Sequence, residues 1–185
     1  MEDSDTMARN IEIKARIGSI EALAPHAAAI ADHGPERIEQ DDTFFPCPNG
    51  RLKLRAFGTG QGQLIFYSRP DQAGPKESFY ILSPTASPDT LRDALIAAHG
   101  ARGRVRKVRT LFLVGRTRVH LDRVEELGDF LELEVVLRDG EPPESGVAEA
   151  HALMARLGVE HGALIEGAYV DLLTGTQATR TGMGA

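Results

Sequence analysis

At 185 residues, 42% of them hydrophobic, the chain has the size of one compact domain with a substantial core. Its 27 acidic side chains outnumber 21 Lys and Arg, for a formal net charge of -6, so the total charge points away from nucleic acid and anionic membranes, and any anion site must come from local clustering. The lone cysteine, Cys47, excludes an intrachain disulfide and a cysteine zinc cluster; with no apolar run near the roughly 18 residues of a membrane span, a cytoplasmic protein is expected.

Residues 1–7 are polar and acidic and are expected to fray. The first strand, Arg9 to Ile17, alternates strictly: Asn10, Glu12, Lys14 and Arg16 share one face, and Ile11, Ile13, Ala15 and Ile17 the other. A helix follows over Ser19 to His33, with Pro25 placed to kink it. Strands are then expected at Ile38 to Phe45, Arg51 to Phe57, Gln63 to Arg69 and Lys76 to Leu82, with glycine-bearing links that suit antiparallel hairpins. Ser87 as N-cap and Pro88 at the first helical position open a second helix that closes before Gly100. Three more strands, Val105 to Leu113, Arg116 to Val124 and Phe130 to Leu137, precede a third helix over Ser145 to Leu157. Residues 174–185 lack apolar periodicity, so a single ordered domain is expected over 8–173, flanked by flexible termini.

The alternation of the first strand recurs. Arg51, Lys53 and Arg55 oppose Leu52 and Leu54; Arg116, Arg118, His120 and Asp122 oppose Thr117, Val119 and Leu121; Glu132 and Glu134 oppose Leu131, Leu133 and Val135. Lys107 and Arg109 also share a side. A solvated sheet face explains any one of these strands. Together, with acids and bases sorted between strands, they are better explained by a shared charged interior. The expected fold is therefore α+β: an eight-stranded antiparallel closed barrel with a polar, charged lumen and helices packed outside. Like charges in such a lumen persist only with a bound counter-charge, which an elongated polyanion plus a metal supplies. Carboxylates such as Glu12, Glu132 and Glu134 are hard donors suited to Mg2+ or Mn2+, while arginine and lysine suit phosphate oxygens. Phosphoryl chemistry asks mainly for positioning and charge neutralisation, so no side-chain nucleophile is required.

The segment Asn10-Ile11-Glu12-Ile13-Lys14-Ala15-Arg16 resembles the ExExK signature of the CYTH, or triphosphate tunnel metalloenzyme, superfamily of class IV adenylyl cyclases, thiamine triphosphatases and inorganic triphosphatases. The resemblance continues through Gln40-Asp41-Asp42, Arg51 to Arg55, Tyr67 to Asp71, Lys76-Glu77-Ser78, Lys107-Val108-Arg109, Arg116 to Asp122, Phe130 to Glu134 and Ala168 to Leu173. It implies metal ligation by Glu12, Glu132 and Glu134, with Asp122 a weaker candidate. It implies phosphate binding by Lys14, Lys53, Arg55, Arg69, Lys76, Lys107, Arg109, Arg116 and Arg118, and catalytic roles for Lys14, Glu12 and Glu134. Asn10 departs from the signature, replacing its first acid with a neutral donor.

The implied substrate is a small triphosphate: ATP, tripolyphosphate or thiamine triphosphate. The cyclase-like reading, ATP to cyclic AMP and pyrophosphate, comes first, with triphosphate hydrolysis as the alternative. A non-catalytic polyphosphate- or nucleotide-binding module is a third reading, motivated by Asn10. Tyr67 and Phe44 are candidates for a base pocket, and Tyr169 reads as a packing residue. Of six histidines only His120 shares a face with these residues, so a zinc site is not expected. The sequence leaves the oligomeric state open, a homodimer included.

Overall fold

The computed structural model describes residues 7–182. Its strands are β1 (Met7–Arg16), β2 (His33–Phe45), β3 (Arg51–Phe57), β4 (Gly62–Ser68), β5 (Lys76–Thr85), β6 (Gly103–Val114), β7 (Thr117–Val124) and β8 (Gly128–Val136). They close into one antiparallel barrel in the order β1-β5-β4-β3-β2-β6-β7-β8. Helices α1 (Ile20–Ile30), α2 (Pro88–His99), α3 (Pro143–Arg156) and α4 (Tyr169–Gly182) complete the α+β fold expected from the alternating strands.

Closure depends on β1, which pairs with β5 on one side and β8 on the other. The register sets Glu12 beside Lys76 and Glu134, and Lys14 beside Glu132. Because the side-chain period of a strand is two, the same register turns Ile11 and Ile13 outward beside Val135 and Leu133. These apolar faces of β1, β6, β7 and β8 form the main core with Leu23 and Ala27 of α1 and Ala150, Leu153 and Met154 of α3. Helix α3 lies so close to β1 that a Cβ on Gly146 would come within 2.6 Å of Ile11 Cγ1, so only glycine fits at the crossing. Truncating a fully buried member such as Leu133 should cost about 2–5 kcal/mol.

A second apolar cluster lies at one end of the barrel. Phe44 from the end of β2, Val105 from the start of β6, Val124 from the end of β7 and Phe130 from the start of β8 pack against Ala168, Tyr169, Val170 and Leu173. The start of α4 thus lies across the barrel end rather than along its outer wall.

Several boundaries differ from expectation. Helix α1 runs through Pro25 but stops at Ile30, and β2 starts at His33 instead of Ile38. Gly34-Pro35 cannot continue a helix, and the freed segment pairs with β6, His33 opposite Leu113, with a register shift before Glu36. Ser19 caps α1 through Ala22 N, whereas Ser87 holds the N-cap position of α2 without a side-chain bond. The backbone stays helical past residue 173, since α4 extends to Gly182. Met7, expected to fray, already belongs to β1, and the expected fraying of residues 1–6 and 183–185 lies outside the described residues.

Candidate active site in the tunnel

The lumen is a cavity of about 300 Å³ lined from all eight strands. Its basic side chains are organised by two matching units. On β3, Lys53 Nζ donates to Asp42 Oδ2 at 2.9 Å, while Arg55 donates to both oxygens of the same carboxylate at 2.7 and 2.8 Å. On β6, Lys107 Nζ donates to Asp122 Oδ2 at 2.8 Å, and Arg109 donates to both Asp122 oxygens at 2.7 Å. Each unit is a Lys-x-Arg pair forked onto an aspartate of the adjacent strand, and in each the arginine and aspartate are direct cross-strand partners. Burial alone would raise both aspartate carboxyls; the adjacent Arg and Lys outweigh it and hold them far below the usual range. Burial, then Arg55, pushes the Lys53 ammonium down to about 8. These cations are aimed but only partly neutralised.

The acids of β8 and β1 are arranged differently. Lys14 Nζ lies 2.8 Å from Glu132 and 3.6 Å from Glu12, Arg109 reaches Glu132 at 3.0 Å, and Arg118 holds Glu134 at 2.8 Å. Burial would raise the Glu132 and Glu134 carboxyls; Lys14 and Arg109 on the first, and His120 and Arg118 on the second, bring both below their ordinary value. Glu12 Oε1, Asn10 Oδ1 and His120 Nδ1 are buried without a hydrogen-bond partner among the described residues. Leaving such groups unmet costs about 1–3 kcal/mol each, more for a charged one. A divalent cation, which the fold implies, fits this donor set: carboxylate and amide oxygens and one imidazole nitrogen facing one space.

At the end crossed by α4, residues 167–171 are tied to the barrel from several strands. Tyr169 Oη donates to Asp122 at 3.0 Å, Arg51 donates to Asp171 at 2.7 Å, and Arg69 donates to the Gly167 carbonyl at 3.0 Å. The Tyr169 ring faces two ammonium groups, Lys14 at 4.2 Å and Lys107 at 5.0 Å from its centroid. Ala168 and Tyr169 therefore form the floor of the cavity. The same lining also holds Ile38, Phe57, Ile65 and Leu82 on β2 to β5, with Gln40 and Gln63 among them; in register Ile65 lies opposite Lys53 and Ile38 opposite Arg109.

Lys14, Lys53, Arg55, Arg69, Lys107, Arg109, Arg118, Glu12, Glu132 and Glu134, all candidates from the sequence, line one cavity. Lys76 adjoins it: it is 2% exposed, donates to the Gln72 carbonyl at 3.0 Å, and burial followed by Arg69 lowers it to about 8. Arg116 does not join them. It sits in the β6–β7 turn beside Gly115 and turns outward to Glu141 and Glu149 at 2.6 and 2.8 Å, because the strand alternation does not extend into a turn. Asp122, a metal candidate from sequence, has both oxygens taken by Lys107, Arg109 and Tyr169, and works as an anchor for cations. Tyr169, expected only to pack, also lines the cavity and binds Asp122. Asp42 was overlooked; its signal was the Lys-x-Arg pattern on β3, whose twin on β6 also faces an aspartate. Tyr67 and Phe44 line the lumen near the floor, each with the Lys53 ammonium 5.5 Å from its ring.

A closed barrel with a basic lumen and an unpartnered carboxylate oxygen at Glu12 is the architecture of a triphosphate tunnel protein. The chain belongs to the CYTH domain family, whose model matches residues 8–169. Comparison with curated proteins gives no match. Among solved structures, the protein PH1012 from Pyrococcus horikoshii OT3 is similar at 24% identity and TM-score 0.78, covering 88% of this chain and 98% of that one. A candidate adenylate cyclase from Vibrio parahaemolyticus is similar at 16% identity and TM-score 0.72, covering 90% and 98%. A Hippeastrum candidate adenylyl cyclase with a dominant triphosphatase activity is similar at 17% identity and TM-score 0.59, covering 81% and 88%.

Proposed function

We propose that the tunnel carries out divalent-metal-dependent chemistry on an organic triphosphate in the manner of the class IV adenylyl cyclases, converting ATP to cyclic AMP and pyrophosphate. The observation that carries this reading is the mixed lining of the lumen. A linear polyphosphate is served by its cations, but it has no use for Ile38, Phe57, Ile65 and Leu82, which suit an uncharged planar group such as a nucleobase.

In this reading Lys14, Lys53, Arg55, Arg69, Lys107, Arg109 and Arg118 bind phosphate oxygens, with Lys76 adding charge from its buried position beside Glu12. Asp42 and Asp122 are positioning residues that fix the two Lys-x-Arg forks before substrate arrives, so little reorganisation remains for the reacting complex. Glu12, Glu132 and Glu134 would hold Mg2+ or Mn2+, which supplies charge neutralisation and polarises the attacking oxygen when bound. Lys14, beside Glu12 and Glu132, neutralises charge on the leaving pyrophosphate. In the cyclase the ribose 3'-hydroxyl attacks the α-phosphorus and displaces pyrophosphate, its proton leaving to solvent, while Glu12 keeps its unpartnered Oε1 for the metal.

A second reading, hydrolysis of the terminal phosphate, is favoured by the dominant triphosphatase activity of the Hippeastrum neighbour. The experiment is incubation of purified protein with ATP, tripolyphosphate and thiamine triphosphate, each with Mg2+ or Mn2+, with Glu134→Ala as control. Cyclic AMP with pyrophosphate supports the cyclase, orthophosphate alone moves the assignment to a triphosphatase, and tight binding without turnover leaves only a binding module.

A further inference from the structure

His120 projects from β7 directly beside Glu132 in the β8 register, and Glu134 follows two residues along the same face. The imidazole Nδ1 stands 3.6 Å from Glu132 Oε1 and 3.9 Å from Glu134 Oε1. Both distances are too long for a hydrogen bond. Nδ1 nevertheless has no other partner among the described residues, on a side chain only 5% exposed. The spacing does suit a shared ion: donor atoms each about 2.1 Å from one metal lie roughly 3.0 Å apart at a right angle and about 4.2 Å apart when opposed. One donor atom from each of His120, Glu132 and Glu134 lies within 4.8 Å of the others, so small rotations bring all three onto one centre. Arg109 shares Glu132 Oε1, but its bonds to Asp122 hold it whether or not that contact is kept.

We infer that His120 is a metal ligand, so that the tunnel binds its cation through an imidazole nitrogen together with Glu132 and Glu134 and prefers a borderline transition ion such as Mn2+ over Mg2+. The inference rests on the reading of the tunnel as a metal-dependent triphosphate site. It also fits the neutral donor at Asn10 on β1, which leaves the imidazole on β7 to complete the donor set. Mg2+ demands near-octahedral oxygen coordination and sheds water reluctantly, whereas imidazole donors favour the later divalent ions.

The test is electron spin-echo envelope modulation of Mn2+ bound to the whole chain with tripolyphosphate, a ligand that contains no nitrogen. A coupling from directly bound imidazole 14N is expected, replaced by the 15N pattern when the histidines are labelled. None of the other five histidines lines the cavity, so the signal belongs to His120. His120→Gln should abolish the coupling and weaken Mn2+ binding by at least about tenfold, while Mg2+ binding changes by less than about twofold. The labelled wild type decides the matter even if the variant folds poorly. Bound Mn2+ without nitrogen coupling overturns the inference and leaves the metal-dependent reading intact; failure of both Mn2+ and Mg2+ to bind, with or without tripolyphosphate, removes both.

Discussion

Asp122 and Glu134 face the same tunnel and are both largely buried, yet they sit in opposite circumstances. Asp122 is fully enclosed by one lysine, one arginine and a tyrosine hydroxyl, which together bring four hydrogen bonds to its two oxygens. Glu134 is held on one oxygen by Arg118, while its other oxygen faces an imidazole too distant to bond. A carboxylate in a basic lumen is thus either a fixed counter-ion or an open ligand, and residue type alone does not say which. The count of donors around each oxygen does.

The sharpest way to break this distinction is Asp122→Ala. It strands Lys107 and Arg109 without their partner and removes the acceptor of Tyr169, so urea unfolding should show a loss of about 3–5 kcal/mol. A loss below about 1 kcal/mol would mean that the fork does not need its aspartate. Glu134→Gln keeps the shape and an acceptor for Arg118, so the melting temperature should move by only a few degrees while metal-dependent turnover falls by about 100-fold. Comparable damage to folding from both variants would erase the contrast.

Titration sharpens it from the basic side. Lysine in an unfolded chain titrates near about 10.4, whereas burial brings Lys53 and Lys76 to about 8. Between those values the unfolded chain binds more protons than the folded one, so stability should rise with pH from about 8 to about 10. Tripolyphosphate affinity, measured by calorimetry over the same range, should fall as the two ammoniums discharge. A parallel rise of both quantities would contradict the placement of these lysines against the anion. Tyr169→Phe, which removes one hydroxyl bond to Asp122 but keeps the ring, should cost about 1 kcal/mol in urea. The smallest effect is expected at Arg116, outside the barrel: Arg116→Ala should cost less than about 1 kcal/mol and leave tripolyphosphate binding unchanged.

Much of this is legible in the sequence. Strict alternation in β1, β3, β7 and β8 gave both faces of the barrel, because a period of two leaves a side chain no third choice. It failed at Arg116, where parity was carried one residue too far into a turn. It also missed the extension of β2, since Gly34-Pro35 reads as a loop in isolation and becomes strand only through pairing with β6. Which acids would be saturated was illegible: Asp42 and Asp122 acquire their donors from neighbouring strands more than ten residues away, and those neighbours are set by barrel closure. Tyr169 belonged to a segment with no partner in the sequence pattern, and only the crossing of the barrel end by α4 gives it a hydroxyl acceptor and two ammonium neighbours.

That crossing has a kinetic corollary. With Ala168 and Tyr169 as the floor, whatever enters last must leave first. A triphosphate that goes in phosphate-foremost yields a product pair in which the fragment nearest the mouth departs ahead of the inorganic one behind it. Steady-state inhibition should then be ordered, with the deep product competing against incoming substrate and the shallow product not, and shortening the chain before Gly167 should turn that queue into a thoroughfare.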